Sequence, residues 1–168
     1  MNNVIVLKGM NFSDSGFGSV VNTLIDVITT KQVGYINANG QLRNSNAIWN
    51  KRVNNSNYIT IPSGTEAIAG VTNMIFPAED NPIPAISYYD DNYNFISGTT
   101  ALNEVIAQQD TTVDTISYQK GNLISIVPPT AKYMIAQWCT DEPSTQTAGD
   151  PDATIYFPDG PELYFVKG

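Results

Sequence analysis

The chain reads as all-β, an antiparallel two-sheet β-sandwich of the jelly-roll kind with an N-terminal arm. Three observations predict it. Short runs of β-branched and aromatic residues follow one another closely, Asn, Gly and Pro punctuate them, and residues 85–98 spell out a whole hairpin. In that hairpin Ile86 and Tyr88 share one face by alternation, Tyr93 and Phe95 share one on the return arm, and Asp90-Asp91-Asn92 supply turn chemistry between them. Two strands alone are marginal in water, so the remaining chain must provide a second sheet over the apolar face. Tyr88 is assigned to that core.

In chain order, residues 1–32 read as an anchoring or oligomerisation arm and residues 33–168 as the sandwich. Within the arm, Val4 to Leu7 suit a short strand. Val20, Val21, Leu24, Ile25, Val27 and Ile28 fit helical spacing, yet are β-branched enough for a strand, and a third reading has the arm pack only on another copy or a larger particle. Residues 34–42 hold an Asn39-Gly40 hairpin turn. Strands are then expected over residues 57–61, stopped by Pro62, and over residues 71–76. Leu102, Val105 and Ile106 stand at i, i+3 and i+4, which predicts a short helix in a crossover at residues 100–109. Residues 123–127 form a strand ended by Pro128-Pro129. Residues 133–138 form another, with Met134, Ala136 and Trp138 on one face and Tyr133, Ile135 and Gln137 on the other. The chain closes with strands over residues 154–157 and 162–166 about a Pro158-Asp159-Gly160-Pro161 turn.

Totals narrow the chemistry. A chain of 168 residues suits one domain and can bury about 70% of its unfolded surface. Cys139 is its single cysteine, which leaves no intramolecular disulfide and no thiolate cluster for zinc. There is no histidine, so Ser-His-Asp and Cys-His catalysis are excluded. A net charge of −8, with Lys51-Arg52 the only adjacent basic pair, argues against nucleic acid as a partner. The apolar run Val4-Ile5-Val6-Leu7 is cut by Lys8, too short for a secretory leader, and no run reaches the roughly 18 apolar residues of a membrane helix.

The candidate sites are correspondingly few. Asp90, Asp91, Asn92 and Asn94 offer oxygens for a hard cation, but Phe95 stands where an EF-hand loop needs its sixth-position glycine and Ala101 where it needs glutamate. Turn chemistry accounts for them, and no metal or cofactor is expected. Acidic residues are plentiful, yet nothing pairs two of them as a glycosidase requires, so no catalytic residue is assigned. Sugar binding by a sandwich uses exposed rings beside polar groups, because the C–H face of a pyranose packs on a ring while its hydroxyls take hydrogen bonds. Trp49, Tyr58, Tyr89, Tyr93 and Trp138 are the available platforms. Trp49, Tyr89, Tyr93 and Asp91 are taken as the glycan-binding set, with Trp49 favoured because it lies between polar loops.

Several segments together resemble modules of tail-fibre and other virion proteins of phages that infect gut Bacteroidetes, and related lectin-like jelly rolls. They are Lys8-Gly9-Met10-Asn11-Phe12-Ser13, Gly34-Tyr35-Ile36 with Asn39-Gly40, Tyr58-Ile59-Thr60-Ile61-Pro62, Tyr88-Tyr89-Asp90-Asp91-Asn92 with Phe95-Ile96-Ser97-Gly98, and Val127-Pro128-Pro129-Thr130-Ala131-Lys132-Tyr133. The resemblance spans roughly residues 8 to 138. It implies a non-enzymatic head or tail fibre or decoration protein of a virion, made in the host cytoplasm and assembled as a homotrimer. It further implies attachment to other virion proteins through the arm and contact with host surface glycan. A free-standing carbohydrate-binding module is the alternative.

Overall fold

The computed structural model describes residues 6–7, 10–11, 21–27, 31–43, 52–55, 58–76, 83–110, 117–140, 157 and 159–168. Among these every regular element is a strand. In chain order they are β1 (Val6–Leu7), β2 (Met10–Asn11), β3 (Val21–Leu24), β4 (Lys31–Val33), β5 (Tyr35–Ile36), β6 (Leu42–Arg43), β7 (Arg52–Asn55) and β8 (Ile59–Thr60). There follow β9 (Thr65–Phe76), β10 (Ile86–Tyr89), β11 (Phe95–Thr99), β12 (Glu104–Asp110), β13 (Ser117–Ile126), β14 (Tyr133–Cys139) and β15 (Glu162–Lys167).

The pairing is nested. β10 pairs with β11, β9 with β13, β7 with β14 and β3 with β15, all antiparallel. Alternate pairs fall in different sheets, one ordered β12-β13-β9-β15-β3 and the other β11-β10-β14-β7-β4 with β8 against β14. A long hairpin of four pairs folded over itself in this way is a jelly roll. The sheets close on one core: Ile68, Leu123, Leu163 and Phe165 from the first meet Ile86, Tyr88, Met134, Ala136 and Trp138 from the second. Tyr88 faces the core as expected, paired with Ser97 in the central hairpin, and its buried hydroxyl bonds the Ser125 hydroxyl across the core at 2.5 Å.

Two expectations change. Residues 104–110 are strand β12 rather than helix, because their backbone pairs with β13, with a bulge between Val105 and Ala107. Val105 and Ile106 are consequently exposed, and Leu102 alone of the three packs on the core. Of the readings left open for residues 20–28, the strand holds over Val21–Leu24, and Ile25 and Val27 then enter the core. So part of the expected arm, residues 21–27, lies within the sandwich; residues 12–20 lie outside the described ones. The strand expected over residues 154–157 likewise falls almost wholly outside them.

Strand β9 is longer than expected. Its start, Thr65-Glu66-Ala67-Ile68-Ala69-Gly70, is poor in β-formers, yet it pairs with strands on both sides and β15 comes close at Gly70. A Cβ at Gly70 would strike the Glu162 carbonyl of β15. Small residues are there because neighbouring backbones come close, not because the chain turns.

Two side-chain amides act as extra strand neighbours. Gln137 Nε2 donates to the Ile36 carbonyl at 2.9 Å while its Oε1 accepts from the Ile36 amide at 2.8 Å. Asn73 Nδ2 donates to the Cys139 carbonyl, and Asn73 Oδ1 accepts the Cys139 amide, tying β9 to β14. The first of these amides seats the β5–β6 hairpin on the outer face of the second sheet, where Ile36 packs with Tyr89 and Ile135. That hairpin covers the middle of the face and leaves the Tyr133 end open.

Candidate functional site

Alternation along β10 and β14 splits their aromatics: Tyr88, Met134, Ala136 and Trp138 turn inward, Tyr89, Tyr133 and Ile135 outward. Register then assembles the outward set. Tyr89 lies opposite Tyr133, and Tyr133 opposite Thr60 on β8, the strand that Tyr58 precedes. The turn beyond β10 adds Tyr93. The Tyr93 and Tyr133 rings stack at 4.5 Å and 18°, Tyr58 leans on Tyr93 at 4.7 Å, and Tyr58 meets the Tyr89 ring edge-on at 4.9 Å. Tyr58, Thr60, Tyr93 and Tyr133 line an open cleft of about 400 Å3, within the range of small-ligand sites. A second, partly open cavity beside Trp138, Gln137 and Asn73 measures about 10 Å3, room for no more than about one water molecule.

The turn presenting Tyr93 is built by Asp90. Its amide donates to the Asn94 carbonyl, its carbonyl accepts from the Tyr93 amide, and its Oδ1 accepts the amides of Asn92 at 2.8 Å and Asn94 at 2.9 Å. These donors, the Asn94 amide foremost, hold the Asp90 carboxyl below its ordinary range. Its lone pairs are thus engaged in shaping the turn, the role expected of it. The cost of the shape falls on Tyr93, the one non-glycine among the described residues with positive φ, at 63°. A bulky residue in that region is disfavoured by about 1–2 kcal/mol. The expected place of Tyr93 on the return strand is therefore corrected: the bulge between Tyr88 and Tyr89 sets Phe95 opposite Tyr89, and the strand begins there.

A second turn has the same pattern. Residues 37–41 close with the Asn37 amide on the Gln41 carbonyl and the Gly40 amide on the Asn37 carbonyl, while Asn37 Oδ1 accepts the amides of Asn39 and Gln41. Its left-handed position is filled by Gly40, at φ 79°. Where one turn has glycine, the other has a half-exposed tyrosine.

The candidate residues named from sequence separate in space. Tyr93 lines the cleft, and Asp91 is exposed on the turn that presents it. Tyr89 is 2% exposed and offers no free ring face. It lies beneath Tyr58 and Phe95, its hydroxyl donating to the Gly40 carbonyl, and burial with the charge of neighbouring Tyr58 pushes it up to about 12. Its role is corrected from platform to support, because the β5–β6 hairpin covers it. Trp138 is buried in the core. Trp49 lies outside the described residues. Tyr133 and Thr60 were missed. Alternation had set Tyr133 opposite in face to Trp138, but only strand register reveals its neighbours. The Tyr93 hydroxyl first, then burial and last the Asp91 carboxylate raise the Tyr133 phenol.

Comparison with protein-family models, with curated proteins and with solved structures finds nothing that matches this chain.

Proposed function

We propose that this chain is a non-enzymatic jelly-roll recognition module that adheres to host-surface glycan through the cleft of Tyr58, Tyr93 and Tyr133. The observation that carries the reading is Tyr93 at a left-handed position that the matching turn fills with glycine. Backbone strain of this kind persists where the residue serves something other than the turn. Here it places a ring beside two others in an open cleft, with Thr60 and the phenol hydroxyls supplying hydrogen bonds for sugar hydroxyls. Tyr93→Gly is the informative substitution, since it removes the ring and suits the backbone. On a glycan array the parent binds, and Tyr93→Gly and Tyr133→Ala each lose at least about tenfold in affinity, the effect of about 1.4 kcal/mol of lost stacking. Unchanged binding in both variants overturns the reading.

The resemblance to phage fibre modules supports a reading of this adhesin as a homotrimeric head or tail fibre or decoration component of a virion. Ile25 and Val27 belong to the core, so the anchoring role proposed for the arm falls to the residues ahead of Val21. Deleting residues 1–20 rather than 1–32 is therefore the proper truncation. Light scattering should show a trimer that falls to monomer; a monomeric parent protein that fails to bind virions counts against the virion assignment.

A further inference from the structure

The tyrosine cleft also has an electrostatic character. The described residues that line it, Tyr58, Thr60, Tyr93 and Tyr133, are uncharged. The turn that supplies Tyr93 carries two carboxylates. Asp90 is held in its ionised form by the turn amides, whereas Asp91 is exposed and takes a single side-chain bond from Asn92 Nδ2 at 3.2 Å. The charge of Asp91 is felt at the Tyr133 ring. The whole chain carries −8.

Ring geometry removes one ligand class that three tyrosines and an acid would suggest. A cage for a quaternary ammonium needs rings standing apart around the cation. Tyr93 and Tyr133 instead lie face to face at 4.5 Å, with no room between them. A stacked pair offers a flat outer surface and a rim of hydroxyls, the form that suits the C–H face of a sugar ring. Nucleobases would also stack, but their phosphates would meet the charge of Asp90 and Asp91 with no basic residue among the described residues that line the cleft.

We infer that the cleft takes uncharged pyranose residues and rejects acidic ones, uronates and sialic acids, with Asp91 as the residue that discriminates. This rests on the glycan-binding reading above and sharpens it to a ligand class. A carboxylate on the sugar would meet the negative field of Asp91 on the adjoining turn, with no basic residue among the described residues that line the cleft, and such like-charge approach lowers affinity for the wrong partner more than it helps the right one.

The test is titration of the full chain with neutral oligosaccharides and with matched oligosaccharides in which glucose or galactose is replaced by its uronate, in about 0.15 M and about 1 M salt. Neutral sugars are expected to bind about tenfold more tightly than their uronate partners in the lower salt. That ratio should shrink in the higher salt and in Asp91→Asn, and invert in Asp91→Lys. Uronates bound as well as neutral sugars, or a ratio indifferent to both Asp91 substitutions, overturns the discrimination and leaves glycan binding standing. No binding of either set, or binding that survives both Tyr93→Gly and Tyr133→Ala, overturns the cleft itself and this inference with it.

Discussion

Residues 37–41 and 90–94 are two turns with one hydrogen-bond pattern. In each, an Asn or Asp side chain accepts the amides two and four residues on, and the fourth residue is left-handed. The first turn uses Gly40 there, with a reason visible in the packing, since a Cβ would run into the Phe95 ring. The second uses Tyr93, although Asn92 and Asn94 beside it are the residue type that tolerates this conformation. Turn chemistry is satisfied where the turn only has to close and pack, and broken where a ring is put out to solvent.

Four measurements would sharpen or break that contrast. The largest effect is expected from a ring on the other side of the same hairpin: Tyr88→Ala empties a fully buried site and should cost about 3–5 kcal/mol in denaturant unfolding. Gly40→Ala should cost about 2–3 kcal/mol, because it meets both a left-handed backbone and the Phe95 ring. Tyr93→Gly should stay within about 1 kcal/mol of the parent, as relief of strain is offset by the lost ring stacking and by glycine's freedom when unfolded. If it proves as damaging as Gly40→Ala, the tyrosine is a structural clamp and the contrast fails.

The smallest effect is on acid stability. The folded pKa of Asp90 is depressed, so its contribution is present above the ordinary carboxyl value of 3.8 and is lost as pH falls through the lowered one. Asn37, in the same role, does not titrate. Asp90→Asn should therefore flatten part of the acid limb of the stability profile, and an unchanged limb would show that the carboxylate is not held as its bonds indicate.

Much of the fold was legible. The central hairpin, the Asn39-Gly40 turn and strands β14 and β15 all follow from alternation and turn residues, which are local signals. Legibility failed where tertiary pairing overrode a local pattern. Leu102, Val105 and Ile106 keep helical spacing, yet that stretch is a strand because β13 offers its backbone a partner. The Ala- and Gly-rich start of β9 was not among the expected strands, and is one because β13 and β15 pair with it on both sides.

The candidate site divides in the same way. Sequence by itself determined the all-β class, the lack of histidine chemistry, the acidity, and the turn that Asp90 nucleates, for these depend on composition and on residues a few positions apart. Tertiary structure decided which tyrosines meet. Tyr58, Tyr93 and Tyr133 are far apart in the chain and come together through the registers of β8 and β10 on β14. It also decided that Tyr89 lies underneath, because a hairpin some fifty residues earlier covers it. A strand's own residues specify that its side chains alternate, but which strand lies alongside is chosen by the whole core, and no local pattern carries that information.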